Sequence, residues 1–281
     1  MSRAAILHEL PGPATNAKAM KPFQEFPAYL KKEIRFVLAD IDDTLTLDGL
    51  LPSASLAAME RLRDAGVAVI PVTGRPAGWC DHIARMWPVA AVVGENGAFF
   101  FRYDRTLRKM QRSYFKTAAE RETDRKRLAE VKAKILAEVP GCAVSADQAF
   151  READLAIDFC EDVPALPPEA VARIVDLFEQ AGARAKVSSI HVNGWFGAYD
   201  KLTMTRRLFR EVFNEELEAI RDRVIFIGDS PNDQPMFAFF PHAVGVANVR
   251  AFAGRMSTLP AWITQKSGGN GFAEMVATLL S

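Results

Sequence analysis

Cysteine is scarce: Cys80, Cys142 and Cys160 are the whole complement in 281 residues, and no two of them share a CxxC or other metal-binding spacing. That excludes a disulfide scaffold and a thiolate metal centre, and leaves reduced, small hydrophobic side chains as the expectation. An excess of one charge is missing too: Lys+Arg and Asp+Glu are both 35, so the formal net charge is zero. Proteins that grip nucleic-acid backbones carry a basic excess, so no nucleic-acid partner is expected, while a local pocket for one small anion stays open. No apolar run approaches the roughly 20 residues that span a bilayer, so no membrane partner is expected. Met1 to Ala19 contains Pro11, Gly12 and Pro13 and no continuous apolar stretch, so it does not read as a secretory signal. It reads as part of a poorly ordered leader over residues 1–33, with the cytoplasm as the default location. Gly268-Gly269-Asn270-Gly271 lacks the Lys and Ser or Thr of a phosphate-binding P-loop and reads as a turn before the last helix.

What is present is ordinary globular composition, 49% hydrophobic and 25% charged, at a length that suits a core domain plus a smaller one. Short apolar runs alternate with helix-like stretches, the sign of a parallel sheet covered on both faces. The runs are Ile34–Ala39, Val67–Val72, Val89–Val93, Val224–Ile227 and Ala243–Val246. The aromatic stretch Phe99–Tyr103 and the stretch Lys109–Phe115 read as a hairpin after the turn signal Gly94-Glu95-Asn96-Gly97. The pattern then changes. A charged helix over Thr117–Val139, strands near Cys142–Ser145 and Leu155–Cys160, a helix from Pro167, and a strand over Ala183–Trp195 form an αββαβ block. The expected fold is a doubly wound parallel sheet, residues 34–112 and 197–281, interrupted by an inserted α+β cap domain at 113–196.

Three polar clusters follow apolar strands directly: Asp40-Ile41-Asp42-Asp43-Thr44, Thr73-Gly74-Arg75, and Gly228-Asp229-Ser230-Pro231-Asn232-Asp233. Ligands of open α/β sheets bind at the carboxyl ends of strands, so neighbouring strands would bring these clusters to one crevice. Asp40, Asp42, Asp229 and Asp233 would then crowd together, and like charges in low dielectric need a cation. Hard oxygen donors with open positions suit Mg²⁺. A calcium loop is excluded, because Thr44 and Leu45 stand where an EF-hand needs Asp or Asn and then Gly.

These clusters, with Lys201, resemble the four ordered motifs of the haloacid dehalogenase superfamily, and the insert resembles the cap of its subfamily IIB, which includes Cof-type sugar phosphatases and sucrose-phosphate phosphatases. The similarity runs from about Ile34 to the C-terminus, and Gly94 to Ala98 matches a stretch common in that subfamily. It implies a phosphatase in which Asp40 is the nucleophile and forms an aspartyl-phosphate, with Asp42 as general acid and then base. It implies Mg²⁺ held by Asp40, Asp229 and the backbone carbonyl of Asp42, with Asp233 either a ligand through water or the partner of Lys201. Thr73, Gly74, Lys201 and Asn232 would hold the phosphate of a small phosphorylated metabolite, a sugar phosphate by resemblance.

Taken singly, Thr73 also suits a helix cap, Lys201 an exposed helix start, Asp43 a turn, and Arg75 either substrate binding or a salt bridge. In the insert, His191, Asn193 and Trp195 alternate and share one strand face, which suits either a sugar-facing surface or an ordinary packed strand. Trp79 and Trp87 read as core or interface residues. Two rivals share the motifs. A phosphomannomutase-like phosphotransferase would need several cap arginines aimed inward, for which Arg151 and Arg184 are the candidates; a non-catalytic sugar-phosphate binder would be expected to have lost Asp40 or Asp42.

Overall fold

A computed structural model describes residues 20–188 and 190–281. The central sheet has six strands, all parallel, in the order Lys21–Pro22, Trp262–Ile263, His242–Gly245, Val224–Gly228, Phe36–Ala39, Ala68–Pro71. Its central strands are buried on both faces, which is why they read as continuous apolar runs. Successive side chains point to opposite faces. Val37, Ala39, Val69 and Ile225 pack under the helices Ser53–Asp64, Ala77–Met86 and Gly268–Leu279, while Phe36, Leu38, Ile70 and Phe226 pack with Met204, Leu208 and Phe237 on the other side. Val72 bridges Val93 in parallel and leads into a three-stranded sheet whose hairpin is Phe99–Asp104 and Lys109–Tyr114.

The second unit is a four-stranded antiparallel sheet with its own apolar core against the helices Ala118–Glu138 and Pro168–Gln180. The first of these helices is fixed at its start by a capping box between Thr117 and Glu120. The expected single strand over Ala183–Trp195 is two, Arg184–Val187 and His191–Trp195, paired antiparallel. The residues that join the two strands include neither Gly nor Pro, and the one glycine of the stretch, Gly194, lies inside the second strand, so the hairpin left no sequence signal.

The expected leader falls partly on residues 1–19, which lie outside those described. Residues 20–33 correct the rest of it: Lys21–Pro22 forms the edge strand, and Phe23 and Phe26 stack on each other and are buried against Trp262. The four residues from Gly268 are also not a turn; they are the first turn of the last helix, where Gly269 N–H donates to the carbonyl of Thr46. Trp79 takes the interface side of its two readings: it is 43% exposed on the helix Ala77–Met86 and lines a cleft with Phe150 of the second unit.

Gly97 joins the fold to the site. Its φ is +104°, and a Cβ there would lie 2.0 Å from the carbonyl oxygen of Asp200. That close approach lets the helix Lys201–Leu208, capped by the Asp200 carboxylate on Thr203 N–H, sit against the turn at Glu95–Gly97. Gly97→Ala is therefore expected to cost about 2 kcal/mol or more and to displace Lys201, read as a lower denaturation midpoint together with lost activity. A midpoint equal to that of the unsubstituted chain would contradict this packing.

Candidate active site

Parallel pairing decides where the acids go. Ala39 is in register with Ile227, so the residues that leave the two strands, Asp40 and Asp229, emerge side by side at the carboxyl edge of the sheet. Asp40, Asp229 and Asp233 each place a carboxylate oxygen within 4.8 Å of the others, and all three are buried. Lys201 Nζ donates to Asp40 Oδ1 at 3.0 Å and to Asp233 Oδ1 at 2.8 Å. The other oxygen of Asp233 accepts from the backbone N–H of Asp229 at 3.1 Å and of Ser230 at 3.4 Å. Both oxygens of Asp233 are thus engaged, which favours the Lys201-partner side of the two readings. Asp229 accepts from Thr44 Oγ1 at 3.5 Å and from Asn248 Nδ2 at 3.3 Å.

The electrostatics are those of a site short of positive charge. Burial pushes the Asp40 carboxyl up from 3.8 to about 7; Lys201 pulls it down, and repulsion from Asp233 and Asp42 adds to the rise. Burial, then repulsion from Asp233, Asp40 and Asp43, holds Asp229 well above its ordinary value. Burial by itself lowers the Lys201 ammonium, but Asp233 and Asp40 more than reverse this and hold it above the usual lysine range. One lysine facing three buried carboxylates leaves a deficit of positive charge, and an all-oxygen donor set of this kind fits a hard divalent cation such as Mg²⁺.

The Asp42 carboxylate lies outside that group. Arg75 grips it through Nε, 3.0 Å from both oxygens, and through Nη2, 2.7 Å from Oδ1. Arg75 also reaches Glu161 at 3.5 Å and Asp147 at 3.6 Å, both in the second unit. Thr73 is fully buried, its hydroxyl accepting from Arg75 N–H at 3.0 Å, so it shapes the turn that presents Gly74 and Arg75. Gly74, Asn232, His191 and Asn193 line one narrow cavity with Asp40, Asp42 and Asp229. His191 and Asn193 are each 3% exposed; Asn193 Nδ2 donates to Asp154 at 3.1 Å, and His191 Nε2 lies 2.9 Å from Glu161 without hydrogen-bond geometry.

Several residues of this region escaped the sequence reading. Glu95 is fully buried and accepts from the backbone N–H of Ala77, Glu152, Ala153 and Asp154 at 2.6–3.1 Å, tying the core to the second unit. Burial and the nearby Asp154 push its carboxyl up to about 8 against the pull of Arg151. Arg151 itself is spent on Asp147, Asp154 and the carbonyl of Gly74. Asn96, at φ 55°, lines the narrow cavity with its side-chain Nδ2 buried and unpartnered. Asn248 donates to the carbonyl of Asp43 as well as to Asp229, bracing both motifs. Their only shared signal is position just beyond an apolar strand; Glu95 and Asn96 stand in the turn already read as Gly94–Gly97, and Asn248 follows the strand His242–Gly245.

A family model described as haloacid dehalogenase-like hydrolase matches residues 37–128. None of the curated proteins compared matches the sequence. Solved structures match in shape. A Thermoplasma acidophilum protein has a TM-score of 0.66 at 19% identity, covering 88% of this chain and 98% of that one. The C-terminal domain of Candida albicans trehalose-6-phosphate phosphatase scores 0.68 at 13% identity, covering 94% and 99%. The Synechocystis sucrose-phosphatase, solved with sucrose and phosphate, scores 0.60 at 14% identity, covering 87% and 97%. The matched segment runs from the strand that delivers Asp40 into the first helix of the second unit and is similar to the haloacid dehalogenase-like hydrolases there, and the fold agrees with these structures over nearly the whole chain.

Proposed function

We propose that the chain is a magnesium-dependent phosphomonoester hydrolase of the sugar-phosphate class, working through an aspartyl-phosphate on Asp40. The observation that carries this reading is the bridge of Lys201 between Asp40 and Asp233, with the Asp229 carboxylate in the same group. The sucrose-phosphatase and trehalose-6-phosphate phosphatase among the structures of like shape support the substrate class. Residues 113–196 act as a cap over the core, held there by Arg75, Arg151 and Glu95.

In the first step an oxygen of Asp40 attacks phosphorus, the bond to the leaving oxygen breaks, and Asp42 gives that alkoxide its proton. In the second, Asp42 takes a proton from water, the water oxygen attacks phosphorus, and the Asp40 carboxylate leaves with inorganic phosphate released. Lys201 faces the charge that builds on the phosphoryl oxygens, with Gly74 and Asn232 beside it. Arg75 donates to both oxygens of Asp42, so the first step needs that grip to loosen when substrate enters. Asp40, Asp229 and the Asp42 carbonyl would hold Mg²⁺, which when bound neutralises the carboxylates and polarises the phosphoryl oxygens. A mutase reading receives less support, because Arg151 is tied to Asp147 and Asp154, and Arg184 donates to the carbonyl of Tyr199.

Hydrolysis of p-nitrophenyl phosphate is expected to vanish with a chelator and return with Mg²⁺; metal-independent turnover would overturn the proposal. The metal should also show in stability. The folded chain holds the Asp40 proton more tightly than the unfolded chain, so that contribution is intact below pH about 4 and is lost as pH rises through about 7. Bound cation replaces the lost protons. At pH 8, Mg²⁺ at a hundred times its Kd is expected to add about 2.7 kcal/mol and to raise Tm by roughly 5 °C or more. At pH 5 the rise should be much smaller, since protons compete for the same oxygens. Equal rises at both pH values would contradict this.

A further inference from the structure

The narrow cavity between Asp40 and the cap strand His191–Trp195 has a volume of about 20 Å³, space for little more than one water. A sugar does not fit there. A second, open cleft of about 710 Å³ begins on the other side of Asp42, and Asp42 and Arg75 line both spaces. That volume is within the usual range for small-molecule sites. Its walls are Thr46 and Leu51 from the turn after the Asp40 motif, Trp79 and His82 from the helix Ala77–Met86, and Phe150 from the cap.

Two large aromatic side chains meet here from segments 71 residues apart and stay in solvent: Trp79 is 43% exposed and Phe150 57%. The fit between the two segments is close. A Cβ on Gly78 would lie 2.9 Å from Cβ of Phe150, so a bare backbone at this position is what lets the cap residue lie on the helix. The Arg75 guanidinium sits 4.4 Å from the centre of the Trp79 ring, so the aromatic wall continues directly into the group that grips Asp42.

A general acid must lie within hydrogen-bond reach of the leaving oxygen, so the remainder of the substrate has to extend from Asp42. Of these two spaces bordered by Asp42, the cleft is the one large enough for a sugar. We propose that the sugar of the substrate lies in this cleft, its C–H faces stacked on Trp79 and Phe150 and its hydroxyls within reach of the exposed His82. Specificity is then read by the core helix Ala77–Met86 and the cap turn at Phe150, rather than by His191 and Asn193. This assignment rests on the phosphatase reading for the position of the phosphoryl group.

The test compares Trp79→Ala, Trp79→Phe and Phe150→Ala. The ratio of kcat/KM for trehalose 6-phosphate or glucose 6-phosphate to that for acetyl phosphate, which has no sugar, is expected to fall about tenfold or more in both alanine variants. Trp79→Phe should keep most of the ratio, and Tyr29→Ala, exposed and remote, should keep all of it. Arg75 stacks on Trp79, so Phe150→Ala is the variant that leaves that stacking in place. Calorimetric titration of the same two sugar phosphates into Asp40→Asn, with and without Trp79→Ala, reads the cleft without turnover, and Kd should rise about tenfold with the second substitution. Unchanged ratios, no measurable binding to Asp40→Asn, or an unchanged Kd would overturn the cleft assignment. Absent turnover in the unsubstituted chain, with binding that depends on Trp79, would instead sink the phosphatase reading and leave the cleft standing.

Discussion

Asp40→Asn is expected to lower the turnover of a phosphomonoester about 10⁴-fold or more, the scale seen when a nucleophile is removed from a site whose members act as a unit. The amide is nearly the same size, so the packing around it survives, but its nitrogen and neutral oxygen make a poor nucleophile. Stability should move the other way. Asp40 lies buried beside Asp229 and Asp233, and removing one charge relieves repulsion that Lys201 only partly offsets. In metal-free buffer at pH 8 the variant is therefore expected to unfold at an equal or higher urea concentration. A rate within tenfold of the unsubstituted chain would exclude Asp40 as the attacking group. Loss of activity with a collapsed fold would leave the chemistry undecided, and Asp42→Asn supplies the second reading: its rate should also fall, by the 10²–10⁴ typical of a general acid.

Lys201→Met is expected to act on fold and rate together. Its ammonium is buried and donates to two carboxylates, so methionine leaves three buried acids facing one another with no lysine among them. Breaking a buried ion pair from one side typically costs about 3–5 kcal/mol, because the uncompensated charge remains. Turnover should fall about 10²–10³-fold, as when one donor to a developing oxyanion is lost. Part of the stability is expected to return as pH drops, since the acids then take up protons. The measurements are urea denaturation at pH 5 and pH 8 and kcat/KM at saturating Mg²⁺. A stability loss below about 0.5 kcal/mol at pH 8 would mean that Lys201 is not the counter-ion of this cluster.

Much of the site could be read from the chain because its logic is local. An apolar run followed at once by a polar cluster puts that cluster at a strand's carboxyl end, and adjacency of the strands Phe36–Ala39 and Val224–Gly228 then brings Asp40 to Asp229. Lys201 was the harder residue, an unremarkable lysine at a helix start, and only the surrounding set of motifs singled it out. Pairings that cross between core and cap were invisible. Arg75 allowed two readings, and nothing in the spacing says that it would take Asp42 and Glu161 together. Glu95 stood in a recognised turn, yet its role depends on three backbone N–H groups more than fifty residues away. The edge strand at Lys21–Pro22 was missed because Pro22 lies in it and Pro27 just beyond, and a proline suits a sheet edge as well as it suits a disordered stretch.

The reading of His191 and Asn193 shows a different limit. Alternation placed them on one face, and they do line the cavity. Periodicity says which side a residue faces; it does not say how much room it faces, nor that Asp154 already occupies the Asn193 amide.

A crystal structure of the chain grown with Mg²⁺ and beryllofluoride, which mimics a phosphoryl group, tests the central claim most directly. The account predicts beryllium bonded to an oxygen of Asp40, Lys201 in contact with the fluorides, and one metal ion about 2.0–2.1 Å from oxygens of both Asp40 and Asp229. Beryllium on any other side chain, or an ion bound away from Asp229, would contradict it.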